Sequence, residues 1–429
     1  MDNNKSSPWG RLIVKQATPR RNYTLNTMAG VMSALTMLVL QLLTTRVLGA
    51  EAAGRVSVDA ATVLLCFQIG QLNMRPYQCT DLRGRFSFPE YLTLKTITAG
   101  LMPLICLVYV VLRRYDTQRS LFCMAFCVFK ALEAISDCFW AMMQQKSRID
   151  LAGLGGALYH FTAVAAFFVV LFTTKDLGKA ALIMALTGAA NLLVYTLPLG
   201  RHFERATLCG HFRQIGRIVA ILVPLFAAAY FLNVAITLPK YALERWGGDA
   251  AQGHFAALFM TAQGVLLLSA FLYFPQLTAL ARYFTEGDRM DFVRLFRKLS
   301  AAIIALDLFA AICGWFIGTQ ILGWLFDLTL TAYRVELVFI LIGGGFFALY
   351  TLTSYALIAM RAQKGLALLT LAVLAASALL NMLLVSHLKL CGAALSFLLS
   401  MIIAALLVFI KLLHALRRTK EGEGGDVAA

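Results

Sequence analysis

Charge is what this chain has least of. Asp, Glu, Lys and Arg supply 14% of its 429 residues, against about a quarter in a soluble domain. So little polar surface cannot cover a water-soluble protein of this length. With 60% hydrophobic residues and a mean hydropathy of +0.75, the chain calls for a bilayer as solvent. Acidic residues are the scarcer sign, 22 against 38 basic ones, for a net charge of +16. That excess does not mark a nucleic-acid partner. The Lys and Arg are dispersed into short loops between apolar runs, where they read as a topology signal. Chemical signatures are missing too. None of the nine cysteines forms a C-x-x-C pair, and Cys66, Cys106, Cys123, Cys127, Cys138 and Cys313 fall within apolar runs. They read as small hydrophobes, so neither a disulfide framework nor a metal site is expected. There is no G-x-x-x-x-G-K-[ST] phosphate loop, so the chain is not expected to hydrolyse ATP. No long loop offers a domain for glycosyl transfer. The expectation is a non-enzyme without a cofactor.

What the chain has is a succession of apolar runs. A span needs about 20 mostly apolar residues. Such runs fall near 24–46, 54–74, 92–112, 119–143, 151–173, 177–199, 214–238, 254–278, 299–325, 334–359, 365–386 and 391–413. They predict an all-α integral membrane protein with about twelve transmembrane helices. The stretch from Leu25 to Leu43 is long enough to span and is preceded by too long a segment for a signal peptide, so it reads as an uncleaved first span. The longest loops, 200–213 and 279–298, suit amphipathic helices on the membrane surface. The end of the chain, 414–429 with Glu421-Gly422-Glu423-Gly424-Gly425, reads as a disordered cytoplasmic tail. With both termini in the cytoplasm, 25 Lys and Arg face inward and 11 outward, and Lys95 and Lys130 remain inside spans. This follows the positive-inside rule. The first and second spans are joined by Gly49-Ala50-Glu51-Ala52-Ala53-Gly54. The seventh and eighth are joined by Gly248-Asp249-Ala250-Ala251-Gln252-Gly253. An offset of six spans predicts two six-helix lobes, 1–199 and 214–413, joined by a cytoplasmic linker over 200–213, a known transporter plan.

Several local patterns carry a family resemblance. Asn22-Tyr23-Thr24 leads into Asn26-Thr27 and Ala29-Gly30, followed by Thr44-Thr45-Arg46-Val47-Leu48-Gly49 and Ala53-Gly54. This resembles the opening of polysaccharide-transport proteins, the Wzx-type flippases among them, in the multidrug/oligosaccharidyl-lipid/polysaccharide exporter superfamily. Arg75-Pro76-Tyr77-Gln78 with Asp81 looks like the cytoplasmic end of that family's second helix. Lys130, Glu133, Asp137, Gln144, Arg148 and Asp150 look like its fourth-helix pattern. Pro239-Lys240-Tyr241 through Gly253-His254-Phe255 looks like its hairpin between helices seven and eight. The resemblance implies two lobes forming a V-shaped central cavity. It implies flipping of an anionic polyprenyl-diphosphate-linked oligosaccharide to the outer leaflet of a bacterial inner membrane, for O-antigen or lipopolysaccharide synthesis. The implied partners are the lipid-linked oligosaccharide, membrane lipids and other glycan-assembly proteins. A multidrug or metabolite exporter of the same superfamily and a membrane glycan polymerase are the alternative readings.

Intramembrane charges are the candidate functional residues, because charge in a bilayer is costly and usually faces a bundle interior or a wet cavity. On a helix advancing about 100° per residue, Glu133, Asp137 and Gln144 lie at about −60°, −20° and −40° from Lys130. One reading is a polar cavity wall with Lys130 as a contact for diphosphate or acidic sugar. The other is an i,i+3 pair that neutralises itself. Arg46 is a candidate for the cavity or its lip. Arg55 and Asp59, one turn apart, are positioned to pair. Arg75, on a helix with Gln68 and Gln71, either greets the diphosphate or snorkels to the headgroups. Asp307 and Asp59 are the candidates for proton or sodium coupling, with an interhelical hydrogen bond as the alternative for Asp307. Gly343-Gly344-Gly345 allows a bend beside Tyr350, Thr351, Thr353, Ser354 and Tyr355, which suit sugar or ordinary packing. Pro224 is a candidate hinge and Asn233 a cavity residue. His160 and His254 receive no role.

Overall fold

A computed structural model describes residues 18–81, 84–360, 362 and 364–418. Among these residues every regular element is a helix. We label them α1 (Pro19–Gln71), α2 (Met74–Thr80), α3 (Phe88–Arg113), α4 (Thr117–Gln145), α5 (Ile149–Thr174), α6 (Leu177–Asn191), α7 (Leu197–Gly200), α8 (Phe212–Gly247), α9 (Asp249–Tyr273), α10 (Leu277–Thr285), α11 (Arg289–Cys313), α12 (Thr319–Phe326), α13 (Arg334–Ala359) and α14 (Leu366–Arg418). One π-turn, Leu192–Thr196, joins α6 to α7, and another, Gly314–Gly318, joins α11 to α12.

Nine helical stretches among the described residues are long and apolar enough to cross a bilayer. Two of them are double. α1 is interrupted at Gly49 (φ 87°, ψ 179°) and α14 at Lys389 (φ 51°, ψ −122°). α4 is not one of the nine, although 29 residues suffice to span. Arg119, Lys130, Glu133 and Asp137 disqualify it on composition. Nine stretches, two further halves and α4 make twelve, in agreement with the apolar runs.

The helix starts follow side-chain chemistry. Asp116 accepts from the Arg119 N–H at 2.8 Å, and Asp176 from the Lys179 N–H at 3.0 Å. Ser87 and Glu90 form a capping box, with Pro89 in the first turn. Each satisfies backbone donors that the first turn leaves orphaned. Two loop expectations need correction. Residues 201–211 form turns and irregular backbone, not an amphipathic helix, with the Cys209 N–H and the Glu204 carboxylate tied to neighbouring helices. Within 279–298, only α10 is a separate short helix, and from Arg289 the chain is already part of α11. α14 continues through His414 to Arg418, so the start of the expected tail is helical. Glu421–Gly425 lie outside the described residues.

The helices group into two compact units. One takes Met1–Val47 and Asp59–Phe226, the other Leu48–Val58 and Ala227–Ala429. The first is centred on α4. Phe122, Phe126, Phe129 and Tyr159 stack in series at centroid distances of 5.9, 6.2 and 4.9 Å, and Trp140 stands edge-on to Tyr159 at 5.9 Å. This aromatic column fixes the rotation of α4 and hence the direction of its charged stripe. In the second unit, Gly344 and Gly343 of α13 let it approach α9 at Ala262 and α14 at Phe397. Small residues at such crossings admit close backbone contact, the main attraction between helices when solvent is as apolar as side chain.

Candidate functional site: buried charges around α4

The charged stripe of α4 is buried but not uniform. Lys130 is 4% exposed, Glu133 6% and Asp137 6%. Lys130 Nζ donates to Glu133 Oε2 at 2.6 Å and lies 4.8 Å from the centroid of the Phe67 ring. His160 Nε2 is 3.8 Å from the other oxygen of Glu133, and His160 Nδ1 is 3.2 Å from Thr36 Oγ1. This upper group joins α1, α4 and α5 into one polar network.

One to three turns further along α4, Asp137 and Gln144 belong to a second group. Arg75 of α2 donates to Asp137 and, through Nη2, to Gln144 Oε1 at 3.2 Å. Arg75 reaches α4 because the chain turns sharply after Gln71, at Leu72 (φ 46°) and Asn73 (φ 51°). Non-glycine residues rarely take this left-handed conformation. Gln78 Nε2 adds a bond to the Cys138 carbonyl at 3.1 Å, so α2 is fastened along α4 by several contacts.

Beside this group lies Lys95 of α3, 1% exposed. Its ammonium donates to the Gln71 side-chain oxygen at 2.7 Å and the Gln71 carbonyl at 3.2 Å. No carboxylate of the described residues lies within ion-pair distance of it. Lys95 was not singled out as a site from the sequence. The available signal was its status as one of two cations left inside spans once the loops were counted.

The remaining candidates are dispersed. Asp59, expected beside Arg55, pairs with Arg119. Both its oxygens accept from Arg119 of α4, at 2.8 to 3.0 Å, and the Arg119 guanidinium lies 3.8 Å over the Tyr115 ring. Arg55 instead meets Asp249 at 2.7 Å and Glu51 at 2.8 Å. Arg46 is exposed. Arg148 and Asp150 form an ion pair at 2.9 Å, and the Asp150 N–H donates to Asn22 Oδ1 at 3.1 Å. In the second unit, the Asp307 carboxylate lies against Gly345 of α13, and its Oδ1 is buried without a hydrogen-bond partner. Asn233 donates to its own helix, at the Ala229 carbonyl. His254 packs on Tyr333 with centroids 5.4 Å apart.

Asp81, just beyond α2, shapes the loop that positions Arg75. Its carboxylate accepts from the N–H groups of Arg85 (2.9 Å) and Phe86 (3.1 Å) and from the Tyr91 hydroxyl (2.9 Å). Burial alone would raise its pKa, but these three donors outweigh it and hold the carboxyl below the ordinary 3.8.

No protein-family model and no curated protein matches the chain. Solved structures do resemble it along nearly its full length. An inward-facing multidrug resistance MATE family transporter of the MOP superfamily superposes with a TM-score of 0.66 at 11% identity, covering 96% of this chain and 100% of its own. A mutant of the Vibrio cholerae MATE transporter VcmN gives 0.60 at 13% identity, covering 93% and 98%. A MOP superfamily transporter from Pyrococcus furiosus gives 0.60 at 12% identity, covering 94% and 96%. That structure is described as having a binding pocket of reverse polarity that suggests a different function. The chain thus has the fold of MOP superfamily transporters.

Proposed function

We propose that this protein is a secondary transporter that moves an anionic polyprenyl-diphosphate-linked oligosaccharide from the cytoplasmic to the outer leaflet for surface polysaccharide synthesis. The fold supports transport, and the charge around α4 supports an anion. Three cations, Arg75, Lys95 and Lys130, stand among two carboxylates, Glu133 and Asp137, and Lys95 has only carbonyl oxygens for partners. This surplus of positive charge, two of the three cations being buried, is the observation that carries the reading. Arg75 is the member that a ligand can reach, with 36% of its side chain exposed against 5% for Lys130. A diphosphate arriving there competes with Asp137 for the guanidinium, which suits bidentate phosphate contacts. The Pyrococcus furiosus structure shows that pocket polarity is discussed as a functional variable on this fold.

A second reading, a multidrug exporter, is favoured by the description of the first structure above. Proteoliposomes holding a fluorescent lipid-linked oligosaccharide separate the two. The expected result is transfer between leaflets that needs the protein and falls at least about tenfold in Arg75→Gln, as loss of a charge-assisted contact predicts. Transport of a cationic dye, with no transfer of the glycolipid, would establish the exporter reading instead.

A further inference from the structure

The segment between α7 and the first turns of α8 carries a second, separate concentration of positive charge. Residues 201–217 hold Arg201, Arg205, Arg213 and Arg217. Their one carboxylate, Glu204, is taken by Lys146 at 2.8 Å. All four arginines are exposed, and none has a carboxylate partner among the described residues. Two apolar side chains stand among them in the open, Leu208 at 62% exposure and Phe212 at 70%.

The strip is built, not loose. The Cys209 N–H donates to Thr93 Oγ1 at 2.9 Å, His211 Nδ1 lies 3.3 Å from Glu90 Oε1, and the Phe212 N–H donates to the Gly210 carbonyl at 2.8 Å. The first two bonds tie the strip to the start of α3, the third folds its backbone on itself, and the guanidiniums are left exposed. Its depth follows from α8. Thirty-six residues at 1.5 Å per residue make about 54 Å, well beyond a hydrocarbon core of about 30 Å. The uncharged part, Ile218 to Pro239, is about 33 Å long by the same rise and matches that core. The turn from Phe212 to Arg217 therefore falls at headgroup level. Cations interleaved with exposed aromatic and aliphatic side chains at that depth match a layer of phosphates over acyl chains.

We propose that residues 201–217 are a docking surface for acidic phospholipid headgroups in the leaflet at the start of α8. The interaction is independent of the transported cargo, and its readout is lipid retention. The full chain, purified in neutral detergent, is offered equal amounts of phosphatidylglycerol and phosphatidylcholine, and bound lipids are counted by native mass spectrometry. Wild type is expected to retain phosphatidylglycerol preferentially. The preference should fall about fivefold for each arginine changed to glutamine, as expected of cations near an anionic surface. Four single variants, Arg201→Gln, Arg205→Gln, Arg213→Gln and Arg217→Gln, read this quantity one by one, and a variant with all four changes reads their sum where it is stable. Arg114→Gln and Lys175→Gln, exposed cations elsewhere, should leave the preference unchanged. Equal retention of the two lipids by wild type overturns the proposal, as does an equal loss in the two control variants. Displacement of the bound lipid by millimolar inorganic diphosphate would also overturn it, by showing a site for free phosphate.

Discussion

At the scale of single residues, Lys130 and Glu133 pose the sharpest question. Removing one partner of a buried pair leaves the other charge uncompensated, at about 3–5 kcal/mol, whereas replacing both with apolar groups is often neutral. Lys130→Met alone and Glu133→Leu alone should each lower the thermal midpoint by several degrees. The double variant should recover most of that loss. If the double variant is stable and still transports, the pair is purely structural. If it is stable and inactive, the pair takes part in transport beyond holding the fold. Asp81 gives a pH test. A carboxyl held below its ordinary pKa stabilises the fold above that ordinary value of 3.8, and the contribution is lost as pH falls through the lower folded value. Asp81→Asn should therefore be less stable than wild type at pH 7, and the two should converge under strong acid. A midpoint difference that stays constant down to acid pH would contradict the assignment.

The polar stripe of α4 was legible in the sequence, because helical period alone aligns Lys130, Glu133, Asp137 and Gln144. Their partners were not. That Asp137 meets Arg75, and that Asp59 meets Arg119, depends on how separate helices rotate against one another. Periodicity within one helix carries no record of that. Lys95 was visible as a residue but not as a neighbour of Gln71, for the same reason.

At the scale of elements, the two Gly-rich connectors prove to be partners. Gly49 and Gly248 share one backbone conformation, with φ of 87° and 82°. A Cβ on Gly54 would run into the Asp249 carbonyl oxygen, and a Cβ on Gly253 into that of Ala50. The two contacts are reciprocal, at the same offset in each connector, and Gln252 Nε2 adds a bond to Ser57 Oγ at 3.3 Å. The weak sequence repeat thus marks a local two-fold packing inside the second unit. Gly54→Val or Gly253→Val should cost about 1–3 kcal/mol of stability through overpacking, measured as a lowered midpoint. Gly100→Val, with open space around it, should cost far less. Equal effects at all three positions would refute the close approach. The spans themselves were readable, since hydropathy dictates them. The turn at Leu72 and Asn73 and the irregular course of 201–211 were not, because tertiary hydrogen bonds decide both.

At the scale of the molecule, an even number of spans places Thr18 and Arg418 on the same side of the membrane. A reporter fused after Lys420 should then report the same compartment as one fused before Thr18, and the opposite compartment from one inserted at Gly248. Agreement between the Gly248 and Lys420 reporters would break the twelve-span count.

The burden of charge on α4 also bears on how the protein is made. A segment entering the membrane from the ribosome is judged largely on its own hydrophobicity, and Lys or Asp near its centre costs about 2.5–3.5 kcal/mol each. α4 meets Asp59 and Arg75 from chain synthesised before it, and His160 from chain synthesised after it. It can be neutralised only in company. Grafted alone into a reporter that scores integration during translation, α4 should fail, while α5 grafted the same way should succeed. α1 through α5 grafted together, which supply Asp59, Arg75 and His160, should carry α4 across. If α4 integrates alone as efficiently as α5, its charges impose no such order, and the first unit assembles one helix at a time.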